Sequence, residues 1–123
     1  MNAAELDVLL TQVRRANEAE DWASAIVLYQ RVLVEGRRTA WQVHGPELAD
    51  GLCARACFGL GECALAENRI DDARANLERA LALTTRYALD LDRRALLSRI
   101  ADAFEFGLGD ELQAHRIRKQ LRR

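Results

Sequence analysis

The stretch LGECALAENRIDDARANLERAL, residues 60–81, decides the fold. Apolar residues recur at helical spacing on both sides of the polar ENR at 67–69, where the pattern breaks. This pattern predicts two amphipathic helices joined by a short turn. Gly61 and Ala73 stand where the two paired helices would meet, and such small residues let helices approach closely. The stretch therefore predicts a helical hairpin.

The same pattern occurs at two other places in the chain. The segments EDWASAIVLYQRVL (20–33) and GDELQAHRIRKQL (109–121) align with the second half of that stretch. In this alignment Ala25 and Ala114 superpose on Ala73. The spacing of roughly 40 to 50 residues lies in the range of helical repeat proteins. The sequence therefore predicts three hairpins and about six helices.

Terminating residues place the first helices. Asn2 and Glu5 have the spacing of a capping box, which satisfies free amides at a helix start. Gly36 is the predicted C-cap of the second helix. The segment GRRTAWQVHGP (36–46) is predicted to be a connector, with Pro46 in the first turn of the third helix, where its missing amide costs nothing.

The later boundaries follow from weaker signals. Residues 84–91, TTRYALDL, are ambiguous because two β-branched threonines weaken a helix without ending it. Either Asp90 or Asp92 is predicted to cap the fifth helix. GLGD at 107–110 is predicted to be the turn before the sixth.

Composition favours this all-α interpretation. Alanine (21) and leucine (19) dominate, while proline (1) and glycine (7) are too few for the many turns of a β-sandwich or barrel. The length suits one domain, residues 1–123. No apolar run approaches the roughly 20 residues that span a bilayer, and the N-terminus lacks the features of a signal peptide. We therefore expect a cytoplasmic protein without a membrane partner.

The hairpin pattern resembles the tetratricopeptide repeat (TPR). In the best-matched repeat, Leu60 and Gly61 match the family's Leu-Gly pair, and Ala64 stands at its aromatic position. The other matching positions are Ala73, Leu77 and Ala80 in this repeat, Ala25, Tyr29 and Val32 in the first, and Leu97, Ile100, Ala101 and Phe104 in the third. The long period and the VHGPELA segment (43–49) are similar to the long-helix variant of kinesin light chains and many bacterial regulators.

The resemblance implies a right-handed α-α superhelix of three repeats, at about 3–36, 46–86 and 90–122. It also implies a concave groove, lined by the first helix of each hairpin, that binds a peptide or a helix of a partner. The positions that map onto this groove are Leu10, Arg14 and Asn17 in the first repeat, Arg55, Phe58, Glu62 and Leu65 in the second, and Ser98, Arg99, Asp102 and Glu105 in the third.

Two features of the mapped groove have alternative interpretations. Phe58 beside Gly59 would form a pocket for a partner's side chain if it is exposed, and otherwise would pack on the neighbouring repeat. The arginines among the groove positions can hold acidic groups of a ligand. The alternative is that they pair with nearby acids of the chain: Glu18, Glu62 or Asp102.

No residue pattern indicates catalysis. Cys53, Cys57 and Cys63 are expected to be core residues rather than metal or redox ligands. His44 and His115 are far apart in sequence and have no Ser or Cys partner. No glycine-rich phosphate loop follows a strand. We therefore expect neither an enzyme nor a bound cofactor or metal.

The sequence thus predicts a non-catalytic module that binds a protein or peptide. One alternative is a self-assembling scaffold, a homo-oligomer whose repeat ends and Trp41 supply the contacts. A weaker alternative is a nucleic-acid adaptor, although a net charge of −1 disfavours nucleic acid as a partner. It would use the basic C-terminus, which otherwise is a solvated helix end: Arg116, Arg118, Lys119, Arg122 and Arg123.

Overall fold

The computed structural model describes all 123 residues and contains only helices and turns, which confirms the all-α prediction. Six helices follow one another along the chain. Four of them are α1 (Ala3–Glu18), α3 (Pro46–Ala66), α4 (Ile70–Thr84) and α6 (Glu111–Leu121). The other two contain a π-helical turn. Helix α2 comprises Trp22–Arg31, the π-helical Val32–Gly36 and Arg37–His44, and α5 comprises Leu91–Asp102 and the π-helical Ala103–Gly107.

Polar side chains cap four of the helix starts. Asn2 and Glu5 form the predicted capping box, in which the Glu5 amide donates to Asn2 Oδ1 at 2.8 Å. Asp90, rather than Asp92, caps α5, since its carboxylate accepts the backbone amide of Arg93. Asp21 and Asp110 cap α2 and α6 in the same way. Each cap satisfies an amide that has no partner within its helix.

The prediction that residues 36–46 form a connector is wrong. Gly36 has helical dihedrals, φ −64° and ψ −40°, and the helix continues to His44. A Cβ on Gly36 would lie 3.1 Å from Leu6 Cδ1, so this glycine admits a neighbouring helix instead of ending its own. The helix ends at Gly45, where φ is +91°, a conformation that favours glycine. Trp41 therefore lies on a helix and not in a loop.

Helix α3 divides the hydrophobic core into two clusters. One cluster of 13 buried residues joins α1 and α2 to α3. The other, of 12 buried residues, joins α3 to α4, α5 and α6. Gly61 permits the close approach predicted for it, because a Cβ there would lie 2.9 Å from Leu77 Cδ2 on α4. The central helix thus contributes one face to each cluster.

A buried carboxylate links distant parts of the chain. Asp50 on α3 accepts hydrogen bonds from Arg86 at 3.0 Å and from the Tyr87 hydroxyl at 2.8 Å. Arg37 of α2 lies 3.6 Å from its other oxygen. The hydrogen bond to Asp50 raises the pKa of Tyr87, because it holds the phenol proton. These contacts fix the turn after α4 against the last part of α2.

None of the six helices combines the length and the apolar composition that crossing a bilayer requires.

Candidate partner-binding groove

Helices α1, α3 and α5 line a groove whose floor includes residues of α2. One part of it, lined by α1, α2 and α3 together with Leu96 and Arg99 of α5, is a cavity of about 370 Å³. Seven of the eleven positions mapped onto the groove line it: Leu10, Arg14, Asn17, Arg55, Phe58, Glu62 and Arg99. Leu65 and Asp102 line an adjoining hollow that shares Phe58, Glu62 and Arg99 with the first, whereas Ser98 and Glu105 line neither. Nine of the mapped positions therefore lie on one continuous surface, which we call the groove.

Tyr29 of α2 closes the floor of the groove. Its ring lies directly above Gly59 of α3, where a Cβ would be 2.1 Å from Tyr29 Cζ. The amide of Asn17 donates a hydrogen bond to the Tyr29 hydroxyl. Burial raises the pKa of Tyr29, because it disfavours the phenolate. The bare backbone at Gly59 is therefore occupied by the chain's own tyrosine and is not a pocket for a partner.

Phe58 is also not an exposed anchor. Its side chain is 4% exposed and belongs to the core cluster between α3 and α6. The guanidinium of Arg99 lies over its ring, 4.7 Å from the centroid. The exposed-aromatic interpretation is therefore wrong, and the alternative, packing against the third hairpin, is confirmed.

The exposed aromatic of the groove is Phe106, which the sequence prediction missed. It lies in the π-helical turn of α5 and is 77% exposed, whereas Phe104 in the same turn is fully buried. A Cβ on the adjacent Gly107 would lie 2.6 Å from Leu65 Cδ1, so the turn packs tightly on α3. A signal was available, because two residues two positions apart in a helix cannot both face the core.

The charges between α3 and α5 are paired within the chain. Arg99 lies 3.5 Å from Glu62, as one of the two interpretations predicted. The pKa of Glu62 is raised, because burial against the groove wall outweighs the attraction of Arg99. Asp102 does not pair with Arg99 but accepts Arg118 of α6 at 2.8 Å, and Arg118 also binds Glu105.

The two arginines between α1 and α3 are free. Arg14 and Arg55 are exposed on opposite walls and form no ion pair, so the interpretation that the groove arginines pair with Glu18, Glu62 or Asp102 is wrong for these two. A free guanidinium presents five donors to a planar acceptor such as a carboxylate. This part of the groove therefore combines an apolar floor with two unused cations.

The groups that could do covalent chemistry are buried or isolated. All three cysteines are free and buried. Burial raises the pKa of Cys53 and of Cys63 to about 11, and raises that of Cys57, which disfavours the reactive thiolate. No group of three His, Cys, Asp or Glu side chains is placed to hold a metal ion.

The chain matches no family model, no curated protein and no solved structure. The all-α fold is therefore known from the structure itself, and membership of the TPR family stays a prediction.

Proposed function

We propose that the chain is a non-catalytic, TPR-like interaction module that binds a segment of a partner protein in the groove. The observation that carries this proposal is the lining of one groove by α1, α3 and α5, the first helices of three successive helix pairs. Its floor is apolar, and its walls hold the free Arg14 and Arg55. Such a concave surface with a few fixed polar groups is typical of a binding site.

The free charges specify the chemistry of the segment. An acidic side chain or a terminal carboxylate would bind between Arg14 and Arg55, neither of which forms an ion pair within the chain. An apolar side chain elsewhere in the same segment would pack on Phe106, which is 77% exposed. The groove therefore fits an acidic segment with an apolar anchor.

Selection from a random peptide display library tests this proposal without a known partner. We expect enriched peptides to carry acidic and apolar residues. The Arg14→Glu/Arg55→Glu variant should bind a selected peptide about 100-fold more weakly, because two charge-assisted hydrogen bonds are lost. Fluorescence anisotropy with the labelled peptide measures the dissociation constant.

Arg15→Glu is the matched control, since Arg15 is an exposed neighbour of Arg14 on α1 but does not line the groove. We expect it to change the affinity less than about threefold, as a distant rim charge does. Equal losses in Arg15→Glu and Arg14→Glu, or enriched peptides that bind the double variant as well as the wild type, would contradict the proposal.

Self-assembly is a second candidate function, favoured by the outer face of α2. Val27, Val34 and Trp41 are 58%, 68% and 48% exposed and recur every seven residues, opposite the face that packs on α1 and α3. Sedimentation velocity over a concentration series tests this candidate. An oligomer that Val34→Glu dissociates would support it, and a strict monomer would exclude it.

A further inference from the structure

A basic hollow lies at the edge of the fold away from the groove. It is formed by the turn after α4, by the first turns of α5 and by α6, and its volume is about 670 Å³. All of its charged lining residues are cationic: Arg94, Arg116, Lys119 and Arg123. Arg116 and Lys119 lie three residues apart on α6, Arg123 follows the end of that helix, and Arg94 lies in the first turns of α5. The chain has a net charge of −1, but this local surface is entirely positive.

These cations are largely unused by the fold. Arg118, on another face of α6, binds Asp102 and Glu105, whereas Arg116, Lys119 and Arg123 form no ion pair. Asp110, an acid that feels the charge of Arg116, has its carboxylate bound to Arg74 at 2.9 Å. The pKa of Asp110 is lowered first by the amide of Gln113, then by Arg74, and only slightly by Arg116. Arg94 donates to the Leu121 carbonyl oxygen, which holds it beside the end of α6.

The rest of the lining favours phosphate over a protein segment. Gln120 supplies an uncharged hydrogen-bond donor, whereas the Thr85 hydroxyl donates to the Leu81 carbonyl oxygen at 2.8 Å. The apolar members, Ala88 and Leu89, form no deep pocket, and the ring of Tyr87 is engaged by Arg93 at 5.2 Å while its hydroxyl binds Asp50. A protein partner needs a pocket for an anchoring side chain. Phosphate groups need only cations and polar donors, as in contacts to a nucleic-acid backbone.

We infer that this basic hollow binds the phosphate backbone of single-stranded nucleic acid, without reading its sequence. Four cationic contacts to a single strand predict an affinity that falls about 50-fold between about 50 mM and 200 mM salt. The one aromatic ring in the lining, that of the half-buried Tyr87, is engaged by Arg93, so we expect the affinity to depend little on base composition.

Fluorescence anisotropy with a labelled single-stranded RNA oligonucleotide tests this inference. We expect Arg116→Glu/Lys119→Glu to weaken binding at least about tenfold and to halve the salt dependence, because two of four phosphate contacts are lost. Both side chains are exposed, so the variant should fold, and circular dichroism checks this. If it does not fold, the milder Arg116→Gln/Lys119→Gln should still lower the salt dependence by the same amount.

Arg15→Glu/Arg122→Glu is the matched control, with the same change in net charge outside the hollow. It should change RNA binding less than about threefold. Three results would overturn the inference: no RNA binding by the wild type at about 50 mM salt, equal losses in the two double variants, or poly-glutamate competing as well as RNA of equal charge. The last result would show that the hollow takes an acidic protein segment instead.

Discussion

The two halves of the groove differ in how the chain uses its own charges. Between α1 and α3, Arg14 and Arg55 have no partner, and Tyr29 fills the floor. Between α3 and α5, Arg99 pairs with Glu62 and covers Phe58. The first half therefore offers charge to a ligand, and the second half offers the exposed ring of Phe106.

This difference shows why arginines that look equivalent in the sequence have different roles. Arg14, Arg55 and Arg99 occupy related positions on the first helices of the three pairs, but only Arg99 has an acid on the neighbouring helix within reach. An exposed ion pair stabilises a fold by only about 0–1 kcal/mol, and an exposed cation–π contact by a similar amount, so the contacts of Arg99 with Glu62 and Phe58 occupy its guanidinium without adding much stability. The free arginines are available for binding.

The largest effect is expected where the second half meets the core. Phe104→Ala should lower the free energy of unfolding by about 3–5 kcal/mol, because a fully buried ring leaves a cavity. Phe106→Ala, two residues away, should change it by less than about 0.5 kcal/mol and weaken binding of a selected peptide. Urea denaturation measures the change in unfolding free energy for both variants. If the two variants lost equal stability, the placement of Phe104 in the core and of Phe106 on the surface would be wrong.

The floor of the first half should be the next most sensitive feature. Gly59→Ala should destabilise the fold by about 1–3 kcal/mol, because its Cβ would displace Tyr29. Gly51→Ala on the same helix has nothing within 4 Å of its Cβ and should stabilise by about 0.5–1 kcal/mol. The melting temperature should fall for Gly59→Ala and rise for Gly51→Ala. An unchanged melting temperature for Gly59→Ala would mean that the Tyr29 ring does not lie against Gly59.

A smaller effect is expected at the Tyr29 hydroxyl. Tyr29→Phe should cost about 1 kcal/mol at neutral pH, because the amide of Asn17 loses its hydrogen-bond partner. The folded state raises the pKa of Tyr29 above its ordinary value of 10.0, so ionisation opposes folding. The advantage of the wild type over Tyr29→Phe should therefore decline as the pH rises above 10, which denaturation at several pH values detects. A constant difference would mean that the phenol is not buried.

The smallest effect concerns Glu62 in the second half. The pKa of Glu62 in the folded protein lies above its ordinary value of 4.5. The protonated carboxyl therefore stabilises the fold fully below pH 4.5, and this contribution is lost as the pH rises through the folded pKa. Glu62→Gln should therefore gain stability relative to the wild type between about pH 4 and 7. We expect less than about 1 kcal/mol, because the carboxylate is half exposed and solvent screens it. A gain in the reverse direction would mean that Arg99 outweighs burial.

Local pattern was sufficient to predict most of the fold. The apolar spacing around 67–69 and the cap at Asn2 correctly placed helices, because both depend on residues within a few positions. Gly36 was misjudged because its role depends on Leu6 of another helix. A glycine that ends a helix and one that admits a neighbour look alike in a sequence, and only the dihedral angle separates them.

The same limit applies to the groove. Nine of the eleven mapped positions lie along its walls, because helical spacing repeats on the first helix of each pair, whereas Ser98 and Glu105 do not line it. Its floor was not identified, since Tyr29 comes from a second helix and reaches Gly59 across the pair. Phe106 was missed although its place two residues after Phe104 indicates the opposite face, because the mapped groove positions of the third repeat end at Glu105.

The most direct test of the groove proposal is to map a selected peptide onto the isotope-labelled protein by NMR chemical-shift perturbation. We predict that the largest shifts fall on groove residues of α1, α3 and α5, among them Arg14, Arg55 and Phe106. Shifts confined to the outer face of α2, or to the basic hollow at α6, would contradict binding in the groove.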